Sequence, residues 1–120
     1  MIERIPDLPE SVLGFTARGQ VSAKDYESVL VPAVEAAIAK QHKVRLLYHL
    51  GPELSGFEAG ALWDDAKVGL KHPTAWERVA VVTDTEWIRV ATKVFGFAIP
   101  GEVRVFKNAE MAAAREWIGA

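Results

Sequence analysis

The sequence predicts an α/β protein: one mixed five-stranded sheet with about four helices packed against it. Three observations predict this. Short strand-like runs alternate with segments of helical period, and that alternation implies parallel crossovers. Two of the runs, Lys43 to Leu50 and Arg78 to Thr83, are apolar on both faces, as strands covered by helices are. The N-terminal segment reads as a hairpin, which adds an antiparallel strand at one edge.

The elements follow in order. Met1 to Ile5 and Ser11 to Gln20 are the hairpin strands, and Pro6-Asp7-Leu8-Pro9-Glu10 is the turn between them. Ser22-Ala23-Lys24-Asp25 is a capping box with Asp in place of the usual Glu. Its helix carries Tyr26, Val29, Leu30, Ala33, Ala37 and Ile38 on one face, and Pro32 inside it predicts a kink. After the Lys43 to Leu50 strand, Leu54-Ser55-Gly56-Phe57-Glu58-Ala59-Gly60-Ala61-Leu62-Trp63 opens a second helix that runs to about Lys71 and ends at His72-Pro73. Thr83 and Glu86 form another capping pattern after the next strand, and the helix there buries Trp87, Ile88, Ala91, Val94 and Phe95. Glu102 to Phe106 is the last strand. Asn108 caps a final helix with Ala113, Ala114, Trp117 and Ile118 on its apolar face.

Composition bounds the function classes. A chain of 120 residues is expected to be a single domain spanning 1–120, large enough to bury its own core. Half the residues are hydrophobic and a quarter charged, the profile of a soluble globular protein. The net charge of −2 leaves no basic stripe for phosphates, so nucleic acid is not an expected partner. No cysteine is present, which excludes disulfides, thiolate catalysis and cysteine-ligated metals and fits a cytoplasmic setting. MIERIPDLPE has no apolar signal core, and no run approaches the roughly 20 apolar residues that span a bilayer.

Several stretches together resemble the SpoIIAA-like group of STAS domains and their Sec14-like relatives. They are Lys43-Val44-Arg45-Leu46-Leu47-Tyr48, Gly56-Phe57 with Gly60-Ala61-Leu62-Trp63-Asp64-Asp65-Ala66-Lys67, and Gly69-Leu70-Lys71-His72. Val79-Ala80-Val81-Val82-Thr83-Asp84 with Trp87-Ile88, and Phe95-Gly96-Phe97 with Pro100-Gly101-Glu102-Val103-Arg104-Val105-Phe106, complete the set. The resemblance covers nearly the whole chain. It implies a small bacterial, cytosolic, non-enzymatic domain. In STAS domains that antagonise anti-sigma factors, an Asp-Ser-Ser-Gly pattern at the start of the helix after the central strand carries a phosphorylated serine. Ser55-Gly56 matches the last two positions of that pattern; Glu53 and Leu54 depart from the first two.

Ser55 therefore has two readings: a possible phosphoacceptor implied by the resemblance, and the cap of a Ser-x-x-Glu box with Glu58. The capping reading is the stronger, and Glu53 and Glu58 would oppose a phosphate. Gly56 and Gly60 either admit a ligand to the backbone or pack closely against a neighbour. His49 ends the central strand and Asp84 follows a parallel strand, both where open α/β sheets place their ligand crevice. Asp84 reads equally as a first-turn acid favoured by a helix dipole. The histidines His42, His49 and His72 lack metal-ligand spacing, and no cofactor fingerprint or nucleophile–base pair occurs, so no catalytic residue, metal or cofactor is expected. Trp63, Trp87 and Trp117 fall on apolar helix faces, whereas Trp76 sits in the loop before a strand.

The favoured reading is a small regulatory or binding domain that recognises a protein partner or small anion through His49, Ser55, Gly56 and Asp84, with homodimerisation through apolar helix surface expected. The alternative is a Sec14-like binder of a lipid or other apolar small molecule, in a groove lined by Trp63, Trp76, Trp87, Phe95 and Phe97. A hydrolase using His49 and Asp84 is a third class that no motif supports.

Overall fold

The computed structural model describes residues 1–41, 43–57, 75–97 and 100–120. The strands are Ile2–Arg4 (β1), Val12–Val21 (β2), Val44–Phe57 (β3), Trp76–Thr83 (β4) and Glu102–Phe106 (β5). They form one sheet in the order β1-β2-β3-β4-β5. β1 pairs antiparallel to β2, and every later pair is parallel. The mixed five-stranded sheet is the one the sequence predicts. The described residues contain three helices rather than four. The first, α1, opens at Ala23–Asp25, widens to a π-helical stretch at Tyr26–Leu30 and continues over Val31–Gln41; α2 is Glu86–Gly96; α3 is Met111–Gly119, entered through a 3-10 turn at Asn108–Glu110.

The hairpin turn holds Asp7 at φ 62°, a left-handed conformation that Asp tolerates better than most residues. The capping box at the start of α1 forms as expected: Ser22 Oγ accepts the Asp25 N–H at 3.2 Å, and the Asp25 carboxylate accepts the Ser22 N–H at 2.9 Å. Pro32 has no N–H for the Ser28 carbonyl, and in an α-helix its ring would collide with that carbonyl. The π-helical stretch opens the helix at this place, with the Val31 N–H reaching Tyr26 O. The wider turn also rotates the downstream face. Tyr26 and Leu30 are buried as predicted, but Val34 is the buried residue of the second half, while Ala33, Ala37 and Ile38 are only partly covered.

Sequential order among parallel strands decides where the helices lie. Crossovers of one hand that always step the same way must place their helices on one face. Ile88 of α2 joins Tyr26, Leu30 and Val34 of α1 in the same core, over Phe15, Leu46, Tyr48, Val79 and Val81. The Tyr26 and Tyr48 hydroxyls meet there at 2.8 Å, which satisfies two buried polar groups. The opposite face is covered by α3, whose Ala114 and Ile118 pack on Val12, Leu47, Ala80 and Val82, with Ile5 and Leu8 from the hairpin turn.

α3 is held at both ends by charge. At its C-terminus Arg78 donates to Trp117 O at 2.8 Å and Arg45 to Ile118 O at 3.1 Å, where cations suit the helix dipole. The Arg78 and Arg104 guanidinium groups lie 5.2 and 4.8 Å from the Trp117 ring. At its N-terminal lead-in the Asp84 carboxylate accepts the Asn108 N–H at 3.0 Å. At the amino end of β4, the segment before β5 crosses closely: a Cβ on Gly101 would stand 2.1 Å from Trp76 O, so only glycine fits.

Four local expectations are corrected. Ser55 does not cap a helix: β3 continues through it, pairing Leu54 with Gly19, Gly56 with Gln20 and Phe57 with Val21. The remainder of the helix expected from Ser55 to Lys71 lies outside the described residues. Thr83 is not the cap of α2. Its hydroxyl accepts the Thr85 N–H at 3.2 Å, and Thr85 O takes the first helical bond, from Arg89 N–H. Asn108 does not cap the last helix through its side chain; the Glu110 carboxylate accepts the Lys107 N–H at 2.7 Å instead. Trp76 is the first residue of β4 and is only 3% exposed, not a loop residue.

Candidate functional site

His49 does not end the central strand, because β3 runs on to Phe57; with Thr16 it lies mid-strand, level with the carboxyl end of β4, where polar side chains gather on the α3 face. Strand alternation puts them there. Leu47 of β3 and Val82 of β4 point to that face, so His49 and Asp84, each two residues further, follow them. His49 is level with Val82 and, on its other side, with Thr16 of β2. Its Nδ1 lies 3.4 Å from Thr16 Oγ1. The ring folds over Gly51: a Cβ there would stand 2.8 Å from Nε2 and 2.9 Å from Cε1. Glycine at 51 is thus a condition for this ring position.

Burial pushes the His49 imidazole below its ordinary pKa of 6.5, and the Arg18 cation acts in the same direction. The Asn108 side chain and the Glu53 carboxylate oppose the shift. Arg18 itself is paired with Glu53 and lies 3.5 Å from Glu3. The result is a neutral imidazole at neutral pH. Asn108 Oδ1 is buried beside the ring and acts on it as an acceptor, but it completes no well-aligned hydrogen bond among the described residues. The edge therefore offers an imidazole, a buried amide oxygen and the Asp84 carboxylate.

Of the predicted site residues, His49 and Asp84 share this edge. Ser55 and Gly56 do not. Ser55 is exposed and lies six residues along β3 from His49, about 20 Å at the usual rise per strand residue. Thr16 and Asn108 were not singled out from the sequence. Thr16 was legible in principle, since alternation along β2 from Val12 puts it on the His49 face. The sequence places Asn108 at a helix cap, and only the packed chain brings it to β3.

The proposed apolar lining separates as well. Trp76 packs in the core, whereas Trp87 and Phe97 are exposed. Trp63 and the Phe95 side chain lie outside the described residues, as do His42 and His72. Among the described residues no group of three His, Asp or Glu side chains is placed to hold a metal. No helix among them is long and apolar enough to cross a membrane.

The SpoIIAA-like family model matches residues 12–119. The chain belongs to the SpoIIAA-like family. A solved relative shares the fold: an uncharacterised protein with a SpoIIAA-like fold from Shewanella loihica PV-4 is 31% identical, with a TM-score of 0.78 over 98% of this chain and 93% of that one. No curated protein is significantly similar to the chain. The SpoIIAA-like assignment makes this a STAS-type domain. Ser55-Gly56, which carries the resemblance to the family's serine pattern, lies inside β3.

Proposed function

We propose that this SpoIIAA-like domain is a non-enzymatic recognition module, and that a protein partner contacts the carboxyl edge of the sheet around His49, Asp84 and Asn108. The observation that carries the reading is the buried Asn108 Oδ1, which completes no well-aligned hydrogen bond among the described residues, beside a neutral imidazole. A buried acceptor without a well-aligned donor costs free energy, and a partner's N–H or O–H relieves it. The same groups argue for a donor-bearing partner over an anion, since an amide oxygen and a carboxylate repel negative charge.

The arrangement supports recognition over acid–base chemistry. Asp84 accepts from a backbone N–H of the α3 lead-in, and the hydrogen-bonding neighbour of His49 is Thr16. His49 and Asp84 thus do not form the base–orienter pair a hydrolase needs. The apolar-ligand alternative loses Trp76 as a lining residue, because that ring is in the core.

Site-specific crosslinking tests the proposal. A photoreactive residue in place of exposed Lys107, beside Asn108, is expected to give a discrete adduct in cells. The same residue in place of Glu10, at the opposite end of the strands, is expected to give none. Loss of the adduct on adding His49→Leu supports the edge as the contact. Equal adducts at both positions, or an adduct indifferent to His49→Leu and Asn108→Leu, would overturn it.

A further inference from the structure

α2 leaves an apolar seam open. Trp87, Val90, Val94 and Phe97 are 54%, 52%, 64% and 92% exposed, while Ile88 on the same element is buried. Their spacing is three, four and three. That is the narrow seam of a two-helix coil, with Trp87 and Val94 at one set of core positions and Val90 and Phe97 at the other. Phe97 follows directly past the end of the helix, where its N–H bonds to Val94 O at 3.2 Å and tightens the last turn.

The charges beside the seam say what fits it. In this heptad frame Glu86 and Lys93 are equivalent flanking positions, one turn-pair apart on the same side of the seam. Both are exposed, and neither makes an ion pair among the described residues. They are about 10 Å apart along the axis, at 1.5 Å per residue, too far to pair within one helix. The position that flanks the other side is Ala91, which carries no charge. Two parallel copies would set Glu86 and Lys93 against that alanine side. Two antiparallel copies related by a twofold axis bring equal flanks together, so Glu86 of each meets Lys93 of the other. The two sets of core positions then face each other, with Trp87 of each copy against Val90 of the other.

We propose that α2 is a self-association surface, and that two copies of this chain pair through antiparallel α2 seams with reciprocal Glu86–Lys93 contacts. The pattern is self-complementary, which is what a twofold interface requires. A short seam of this kind gives a reversible dimer, not an obligate one. The inference does not depend on the carboxyl edge, which is built on the other face of the sheet.

Sedimentation across a concentration series tests it. The wild type is expected to pass from monomer to dimer. Val94→Asp is expected to hold the chain monomeric; since Val94 is exposed, circular dichroism should show that the variant is folded. Glu86→Lys and Lys93→Glu each place like charges opposite one another twice. Each is expected to weaken self-association by roughly tenfold. Mixed together, the two single variants restore both opposite-charge contacts and are expected to form a heterodimer of wild-type strength. A wild type that stays monomeric at the highest concentration the protein tolerates would overturn the proposal. So would a dimer unaffected by Val94→Asp, or single variants that show no preference for each other. Binding of phosphatidylcholine vesicles by a chain that never self-associates would assign the seam to a lipid surface instead and overturn it as well.

Discussion

α1 and α2 lie on the same face of the sheet and are both amphipathic, yet they spend their apolar residues differently. α1 turns Tyr26, Leu30 and Val34 into the core, each with at most 2% of its surface exposed. α2 commits Ile88 to that core and leaves Trp87, Val90 and Val94 open to solvent. The difference teaches that an apolar stripe states a need for cover and not where the cover comes from. Burial against the sheet limits how many residues one helix can commit. A second stripe on the same helix must be met by something else or remain exposed.

The comparison can be broken most strongly by truncating each helix in turn. Leu30→Ala in α1 deletes a fully packed side chain and is expected to cost about 2–5 kcal/mol of unfolding free energy. Val90→Ala in α2 is expected to change the stability of the monomer by less than about 0.5 kcal/mol, as exposed substitutions do. Urea unfolding at low protein concentration measures both. Equal costs would mean that the α2 seam is packed in solution. Ser22→Ala, which removes the cap of α1 but no core group, falls between them at about 1 kcal/mol.

A smaller effect sharpens the contrast between the two faces of the sheet. The His49 pKa is lowered in the folded chain, so below its ordinary value of 6.5 the unfolded chain binds more protons than the folded one. The stability due to the neutral ring is fully present above that pH and is lost as pH falls through the lowered folded pKa. Comparing urea midpoints at about pH 7.5 and 5.5, values that bracket the unperturbed histidine pKa, His49→Gln is expected to lose less stability than wild type. A loss as large in the variant would remove His49 as the cause. Asp25, also lowered, by its bond from the Ser22 N–H, acts in the same direction but only below ordinary carboxylate values, so the two windows separate. The least disruptive change is Gly51→Ala. Its methyl would displace the His49 ring, and the expected readout is a raised His49 pKa by NMR titration as the ring swings toward water.

Much of the carboxyl edge was legible. Asp84 follows from strand position, because the end of β4 is a local property, whereas His49 sits mid-strand, since β3 runs on to Phe57. Thr16 and Asn108 come from strands and turns remote in sequence. Their approach to His49 depends on register and on the path of α3, neither of which any single segment encodes. Ser55 shows the opposite failure. Ser-x-x-Glu is a sound capping pattern, but β2 runs on to Val21 and offers its backbone to Leu54, Gly56 and Phe57. A ladder with a neighbouring strand outweighed one local cap.

Local pattern alone specifies the α/β class, the hairpin, the doubly apolar strands and the capping box at Ser22. Each of these follows from periodicity or from hydrogen bonds between residues close in the chain. Only the tertiary structure decided that α1 and α2 share one face while α3 holds the other. It alone extended β3 through Ser55, and it alone left the α2 seam exposed beside Glu86 and Lys93. Those outcomes depend on strand order and on which surfaces meet, and such long-range choices are made by the packed chain as a whole.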